Sequence, residues 1–426
     1  MMQKKTDVLV IGAGLSGLMA AAQAAEQGKQ VLVVAKGSGA LGLSSGCIDL
    51  WGYRLDQPEQ VCDDPLQEIV RLVEVNPEHP YARVQDVLTE SLAYFSDICA
   101  ASGYPYVTSP GGNWLLPTAL GTVRPTYLAP VTMAVDSLGE AKSILVVGFR
   151  ELKDFYPEVL AGNLKKNAEL AADCRINTLM VSVGGGDLNP NTLAHRLERP
   201  AVLNEIIKQV KPALFAGTLV FFPPVLGERA DSTVAADLAA DLGCPVYEVT
   251  NIPPALPGQR LQQVLLRFLK HQGVEVIMGC TVTAARVTGT ACTGVTAVGN
   301  GKTMQITAGT VILATGSFLG GGLKAGMGLI KESIFDLPVK TCAGEWSDRD
   351  FLALSGQPFN KFGLTVNDNL QPVDDQGRVV LENVLITGAN LAGCNYPVEK
   401  CGNGVALATG YKAGKLAGGV SSAAIR

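Results

Sequence analysis

The sequence predicts an α/β protein: a three-layer domain around a parallel sheet, interrupted by a large inserted α/β domain. Three observations predict it. Short apolar strand-like runs alternate with helical stretches along most of the chain. Glycine makes up 48 of 426 residues, about 11 % against a usual 7 %, and it gathers where those runs end. Apolar residues reach 47 % and charged residues only 17 %, so the chain can bury a large core and is not disordered. The glycines keep no three-residue period, which excludes collagen. At this length two domains, or one with a large insertion, are expected.

The first element is the most informative. Residues 8–11 are β-branched and apolar, Gly12-Ala13-Gly14-Leu15-Ser16-Gly17 follows, and a helical stretch then runs to Gln27. Gly28 ends that helix and residues 30–35 form the next strand. This is strand, G-x-G-x-x-G, helix, strand within about 30 residues. Gly12 permits the tight turn, Gly14 lets a phosphate approach the backbone, and Gly17 allows close helix–strand packing. The helix N-terminus offers free N–H groups and partial positive charge to the anion. A Rossmann-like FAD/NAD(P)-binding fold is therefore expected.

One part of that pattern is absent. About 20 residues beyond the loop an acidic side chain usually holds the adenosine ribose, yet the chain reads Val34-Ala35-Lys36-Gly37. Lys36 either binds a phosphate, as in NADP or FMN, or ends a strand in solvent. FMN is expected as cofactor on this ground, with FAD as the runner-up.

Residues 37–46 form a loop ending Leu43-Ser44-Ser45-Gly46, whose hydroxyls and amides suit a ring system. An amphipathic helix is expected at 66–75, and buried strands at 144–149, 179–183 and 219–222. Helices fall between them at 156–173 and 202–210, and Gly184-Gly185-Gly186 reads as a loop. From Pro253 the character changes: a helix at 258–272, a strand at 274–278, and a Thr/Val/Gly meander at 282–307. Strands at 310–313 and 383–386 each end in Thr-Gly, at Gly316 and Gly388, and Gly402-Asn403-Gly404 opens the last helix. The expected boundaries are 1–54 and 253–426 for the nucleotide fold and 55–252 for the insertion.

Other classes fall away. A net charge of -5 gives no basic face for nucleic acid. The ten cysteines contain no two-residue gap of a zinc or redox motif, and with three histidines in the chain no metal or iron–sulfur centre is expected. Lys4 and Lys5 before 18 uncharged residues imitate a targeting signal. Gly12, Gly14 and Gly17 sit where such a helix would be weakest, so the chain is read as unprocessed.

The order of these motifs resembles the flavin-dependent oxidoreductases related to fumarate reductase flavoproteins and glycerol-3-phosphate dehydrogenases. Almost the whole chain is similar to the family of anaerobic glycerol-3-phosphate dehydrogenase B subunits. The carrying stretches are Leu43-Ser44-Ser45-Gly46 with Asp49-Leu50, His79-Pro80-Tyr81, Gly121-Thr122-Val123-Arg124, Gly316-Ser317-Phe318, Gly320-Gly321-Gly322-Leu323, Gly344-Glu345-Trp346 and Phe362-Gly363-Leu364-Thr365. The resemblance implies an FMN-containing subunit working with a catalytic flavoprotein subunit and a membrane-associated iron–sulfur subunit. Such a complex oxidises sn-glycerol 3-phosphate to dihydroxyacetone phosphate and passes electrons toward quinone. It would place the chain in the cytoplasm, at the inner face of the membrane through its partners.

Flavin-dependent alcohol oxidation moves a hydride to the ring while a base takes the hydroxyl proton. His79 is the candidate base. Arg124 and Arg260 are candidate phosphate clamps and Lys400 a further point charge. Gly12, Gly14, Gly17, Lys36, Ser44, Ser45, Gly46, Gly316, Gly388 and Gly404 are candidate cofactor contacts, with the helix start at Gly404 stabilising negative charge on the ring. Two other readings stay open: a flavoprotein fold kept as scaffold for a catalytic partner, and an NADP-dependent reductase resting on Lys36.

Overall fold

The computed structural model describes residues 2–419 apart from 137, 168, 169, 171, 172 and 300. It opens with β1 (Met2–Ile11), α1 (Leu15–Glu26) and β2 (Val31–Ala35). β1 starts six residues earlier than the apolar run at Val8. The reason lies far down the chain, in a partner strand of matching length. β14 pairs in parallel with β1 from Met2↔Met304 to Ile11↔Leu313, so even Lys4 and Lys5 are strand residues. Lys4 Nζ donates to Glu275 Oε1 at 2.5 Å. The signal-like segment is thus the strand, turn and helix of a sheet.

Helices α2 (Pro65–Val75) and α3 (Leu88–Ala101) follow, then the short strands β3 (Tyr106–Thr108), β4 (Trp114–Pro117), β5 (Val123–Thr126) and β6 (Leu128–Pro130). Asp64 caps α2 by accepting the Gln67 amide at 3.0 Å. Next comes a second α/β unit: β7 (Ser143–Phe149), α4 (Pro157–Leu164), β8 (Arg175–Val181), α5 (Pro190–Leu197), α6 (Pro200–Val210), β9 (Thr218–Phe222), α7 (Val234–Leu242) and β10 (Val246–Glu248). Its four strands are all parallel, in the order β10-β9-β7-β8. The helix expected at 156–173 covers Pro157–Leu164; positions 168, 169, 171 and 172 lie outside the described residues. The strand expected at 179–183 starts four residues earlier and ends two earlier, because its register is set by β7, with Ser143 opposite Arg175.

The chain returns to the first sheet with α8 (Leu256–His271), β11 (Glu275–Met278), β12 (Cys280–Thr288), β13 (Ala291–Gly299) and β14 (Lys302–Leu313). A hairpin of β15 (Leu323–Gly326) and β16 (Leu329–Glu332) precedes β17 (Val384–Ile386), α9 (Tyr396–Glu399) and α10 (Gly402–Gly419). The seven-stranded sheet runs β11-β2-β1-β14-β13-β12, with β17 also on β14. Its parallel part is β11, β2, β1, β14 and β17, and the meander β12-β13-β14 is antiparallel. β2 and β11 are neighbours, so everything between them in sequence is an excursion from one sheet.

Each sheet has its own apolar core. Ile144, Val146, Phe149, Phe221 and Leu238 anchor the second. Ile69, Tyr81, Leu92 and Phe95 join the first, so α2 and α3 pack on the nucleotide fold. Among the described residues no helix is long and apolar enough to cross a membrane.

One buried ion pair joins the two units. Glu248, at the end of β10, accepts from Arg260 of α8 at 2.6 and 2.9 Å, and from the Leu226 amide and Thr132 hydroxyl. Arg260 also donates twice to the Gly227 carbonyl. Removing one partner of such a pair strands a buried charge. Arg260→Leu is expected to cost about 3–5 kcal/mol, read as a lower urea midpoint. Adding Glu248→Leu should recover only part, since the Leu226 amide and Gly227 carbonyl stay without partners.

Candidate functional site

The site is built where β1, β2 and β14 end together, the place where open α/β sheets bind ligands. Gly12 has φ +117°, and its amide donates to Val34 O of β2 at 2.9 Å. A side chain on Gly12 would overlap Ala314 O just beyond β14, and one on Gly17 would overlap Gly12 O. Gly14 differs. It caps α1 with ordinary extended backbone, no side chain caps the helix, and nothing lies within 4 Å of where its Cβ would stand. The first α1 amides therefore lack a side-chain acceptor beside open space, which fits a phosphate group. Gly39 crosses directly over this turn, since its Cβ would stand 2.8 Å from Gly14 Cα. Lys36 is exposed at the end of β2.

The other strand ends close on the same region. Gly316 (φ +75°) follows β14 and Gly388 (φ +65°) follows β17. The Gly388 amide donates to Thr409 Oγ1 of α10 at 2.9 Å, and Asn390 Nδ2 donates to Leu313 O at 3.0 Å. In the serine loop, Ser44 Oγ accepts the Gly46 amide at 3.1 Å and Ser45 Oγ accepts from Arg124 Nη1 at 3.0 Å. Gly46 lies against Pro257 at the start of α8, and its carbonyl takes the Tyr106 hydroxyl at 2.6 Å.

Arg124 also bonds Asp49 Oδ2, while the other Asp49 oxygen is buried without a partner. The Asp49 carboxylate raises the Arg124 pKa further, and burial followed by repulsion from Arg124 lowers that of Lys400. Asp49 O accepts the Gly404 amide at 3.0 Å, so this charge cluster adjoins the start of α10. Gly404 itself, expected to face a flavin ring, is packed on protein: a Cβ there would stand 2.6 Å from Leu50 Cδ2 and overlap the Tyr81 hydroxyl. Arg260 is corrected as a phosphate clamp, because its guanidinium is buried and fully committed to Glu248 and Gly227.

His79 is likewise corrected as a base for substrate, since its ring has 0 % exposure. Its Nδ1 accepts the Tyr81 amide at 3.2 Å and its Nε2 lies 3.4 Å from Glu399 Oε2. Burial disfavours the charged ring, but hydrogen bonds to Cys394 and Glu399 outweigh it and raise the His79 pKa to about 9. Cys394 and Cys401 complete the group, their sulfurs 3.3 Å apart, with Cys401 Sγ donating to Glu399 Oε2 at 3.3 Å. All four functional atoms lie within 4.8 Å of one another. A search for closely spaced cysteines misses this cluster, because six residues separate the thiols and the histidine arrives from the other half of the chain.

Known proteins extend the picture. A family model described as "FAD binding domain" matches residues 7–405. A chain from Halobacterium salinarum, named as a probable B subunit of anaerobic glycerol-3-phosphate dehydrogenase, is 32 % identical, covering 97 % of this chain and 98 % of its own. The B subunit of the anaerobic glycerol-3-phosphate dehydrogenase of Vibrio cholerae is also 32 % identical, over 96 % and 95 %. Among solved structures, 3-ketosteroid-Δ4-(5α)-dehydrogenase from Rhodococcus jostii aligns over 99 % of this chain and 98 % of its own, at 12 % identity and TM-score 0.39. The family model favours FAD over the FMN read from Lys36; an exposed lysine at a strand end does not choose between the two flavins. With matches spanning nearly its whole length, the chain belongs to the FAD-binding-domain flavoproteins and, within them, to the family of anaerobic glycerol-3-phosphate dehydrogenase B subunits.

Proposed function

We propose that the chain is the flavin-holding subunit of a glycerol-3-phosphate dehydrogenase complex and that its flavin is FAD. The observation that carries this reading is the open space at Gly14 beside an α1 N-terminus without a side-chain cap. Bound there, a flavin supplies the two-electron acceptor that alcohol oxidation requires. The chain's own part is to hold it. The α1 amides take a phosphate, Gly12 and Gly17 keep the turn against β14, and Gly39 closes over the turn.

The substrate side is read from charge. Arg124, Asp49 and Lys400 together carry one net positive charge beside the α10 start, suited to anchoring a phosphate monoester. The enclosure of His79 favours a division of labour. A partner flavoprotein subunit takes the hydroxyl proton, and this subunit relays electrons to a membrane-associated iron–sulfur subunit and so toward quinone. The partners would then hold the chain at the inner face of the membrane.

Three outcomes test the reading. Denaturing the purified chain should release FAD on chromatography; a preparation dominated by FMN would reverse the cofactor assignment. Gly14→Asp should keep the fold, because aspartate is a good N-cap. It should nonetheless lose flavin more than about tenfold in affinity, since it removes charge-assisted bonds of about 1.5–3 kcal/mol. Full flavin content in that variant would move the phosphate site elsewhere. Mixed anaerobically with glycerol 3-phosphate, the isolated chain should stay yellow and bleach only with its catalytic partner present. Bleaching of the chain alone would assign the alcohol oxidation to this subunit.

A further inference from the structure

The residues after β17 make a tight excursion that brings two thiols together. Cys394 precedes the single-turn helix α9, Lys400 takes a left-handed conformation (φ +50°), and Cys401 immediately precedes α10. The two sulfurs end 3.3 Å apart, close enough for bonding after a small side-chain movement. Their settings differ. Cys394 is half-buried, whereas Cys401 has no exposed surface.

We propose that Cys394 and Cys401 are a redox-active dithiol that closes to a disulfide by exchange with a disulfide-class reactant, Cys394 attacking and Cys401 resolving. Two sulfurs already 3.3 Å apart, one in a partly exposed residue and one in a fully buried residue, form the arrangement such exchange needs. The Cys394 thiolate attacks one sulfur of the reactant, whose S–S bond breaks and whose other half leaves as a thiol after taking a proton. Cys401 then gives its proton to the Glu399 carboxylate, which it already contacts at 3.3 Å, and attacks Cys394 Sγ. The second half of the reactant leaves and takes up that proton. Two protein thiols and one reactant disulfide thus become one protein disulfide and two small thiols, with two electrons passing to the reactant.

The surroundings suit both steps. The groups facing Cys394 are Cys401, His79, Glu399 and Tyr81. The Cys401 hydrogen bond, against burial and helped by His79, lowers the Cys394 pKa to about 7. Burial and the neighbouring Cys394 keep Cys401 protonated. Once Cys394 is capped its charge is gone, and Cys401 becomes easier to deprotonate. The order of attack follows from the site. The proposal stands apart from the reading of the flavin site and does not depend on which flavin is bound.

The test uses the full purified chain, as isolated, in anaerobic glutathione redox buffers, quenched with N-ethylmaleimide and digested with trypsin. Cleavage after Arg378, Lys400 and Lys412 puts Cys394 and Cys401 on separate peptides, 379–400 and 401–412. As oxidised glutathione increases, the two labelled peptides should give way to one cross-linked pair two hydrogens lighter than the two unlabelled peptides together. Cys401→Ser should trap glutathione on Cys394, and Cys394→Ser should leave Cys401 without an adduct. In the unmodified protein, labelling of Cys394 should rise through about pH 7, with exposed Cys342 as the reference thiol. Both peptides fully labelled across the buffer series, with glutathione on Cys342 alone, would overturn the proposal. So would stoichiometric zinc that shields both thiols, which would make the cluster a metal centre.

Discussion

The structure depends on one close approach of backbone to backbone. Gly12 and Gly17 bring the β1–α1 turn against the end of β14, where neither position has room for a side chain. β14 lies alongside β1 over nearly its whole length, so this contact fixes which strand ends face the turn. Moved outward by the width of a methyl group, the turn would lose contact with Ala314, and the α1 amides would no longer converge at the strand ends. Gly14 is the exception that gives the turn its use, because it alone of the three has open space beside it.

The same economy of side-chain volume sets α10 against α1. A Cβ on Gly410 would overlap Ser16 O, and one on Gly414 would stand 2.7 Å from Gln23 Cβ. The two helices are packed through small residues, and Thr409 ties α10 to the turn after β17 at the same level. The second sheet is attached differently, through polar groups. Glu248 and Arg260 satisfy each other and two backbone groups in a joint closed to solvent, holding β10 on α8. Since α8 also packs on the serine loop through Pro257 and Gly258, the excursion and the candidate site share one helix.

Charge distribution separates two regions on either side of the chain entering α10. Arg124, Asp49 and Lys400 form a partly open, net positive group, while His79, Cys394, Glu399 and Cys401 form a closed one. Their proximity follows from the chain path: Asp49 takes the Gly404 amide, Leu50 takes the Tyr81 hydroxyl, and Tyr81 carries His79 beside the thiols. The net positive group and the thiol pair are thereby linked through a short series of hydrogen bonds.

How much was legible in the sequence follows from the range of each interaction. The glycine turn, the strands at 219–222 and 383–386, and the helices at 66–75 and 258–272 depend on periodicity and turn chemistry within a dozen residues, and each lies within two residues of expectation. The class of the fold followed from them, and the resemblance to the family from short stretches such as Leu43-Ser44-Ser45-Gly46, His79-Pro80-Tyr81 and Phe362-Gly363-Leu364-Thr365. The full length of β1, the position of β8 and the meander's junction with β17 depend on partners a hundred or more residues away or on a neighbouring strand's register, which local patterning does not encode. The same limit misjudged side chains. Arg260 reads as a free cation until Glu248 is brought to it, and His79 reads as a base until burial encloses its ring. The thiol pair was invisible because its spacing matches no compact motif. Composition and short-range pattern determined what kind of sheet this chain builds; only the tertiary structure decided which polar groups meet, because their pairing depends on distance in space.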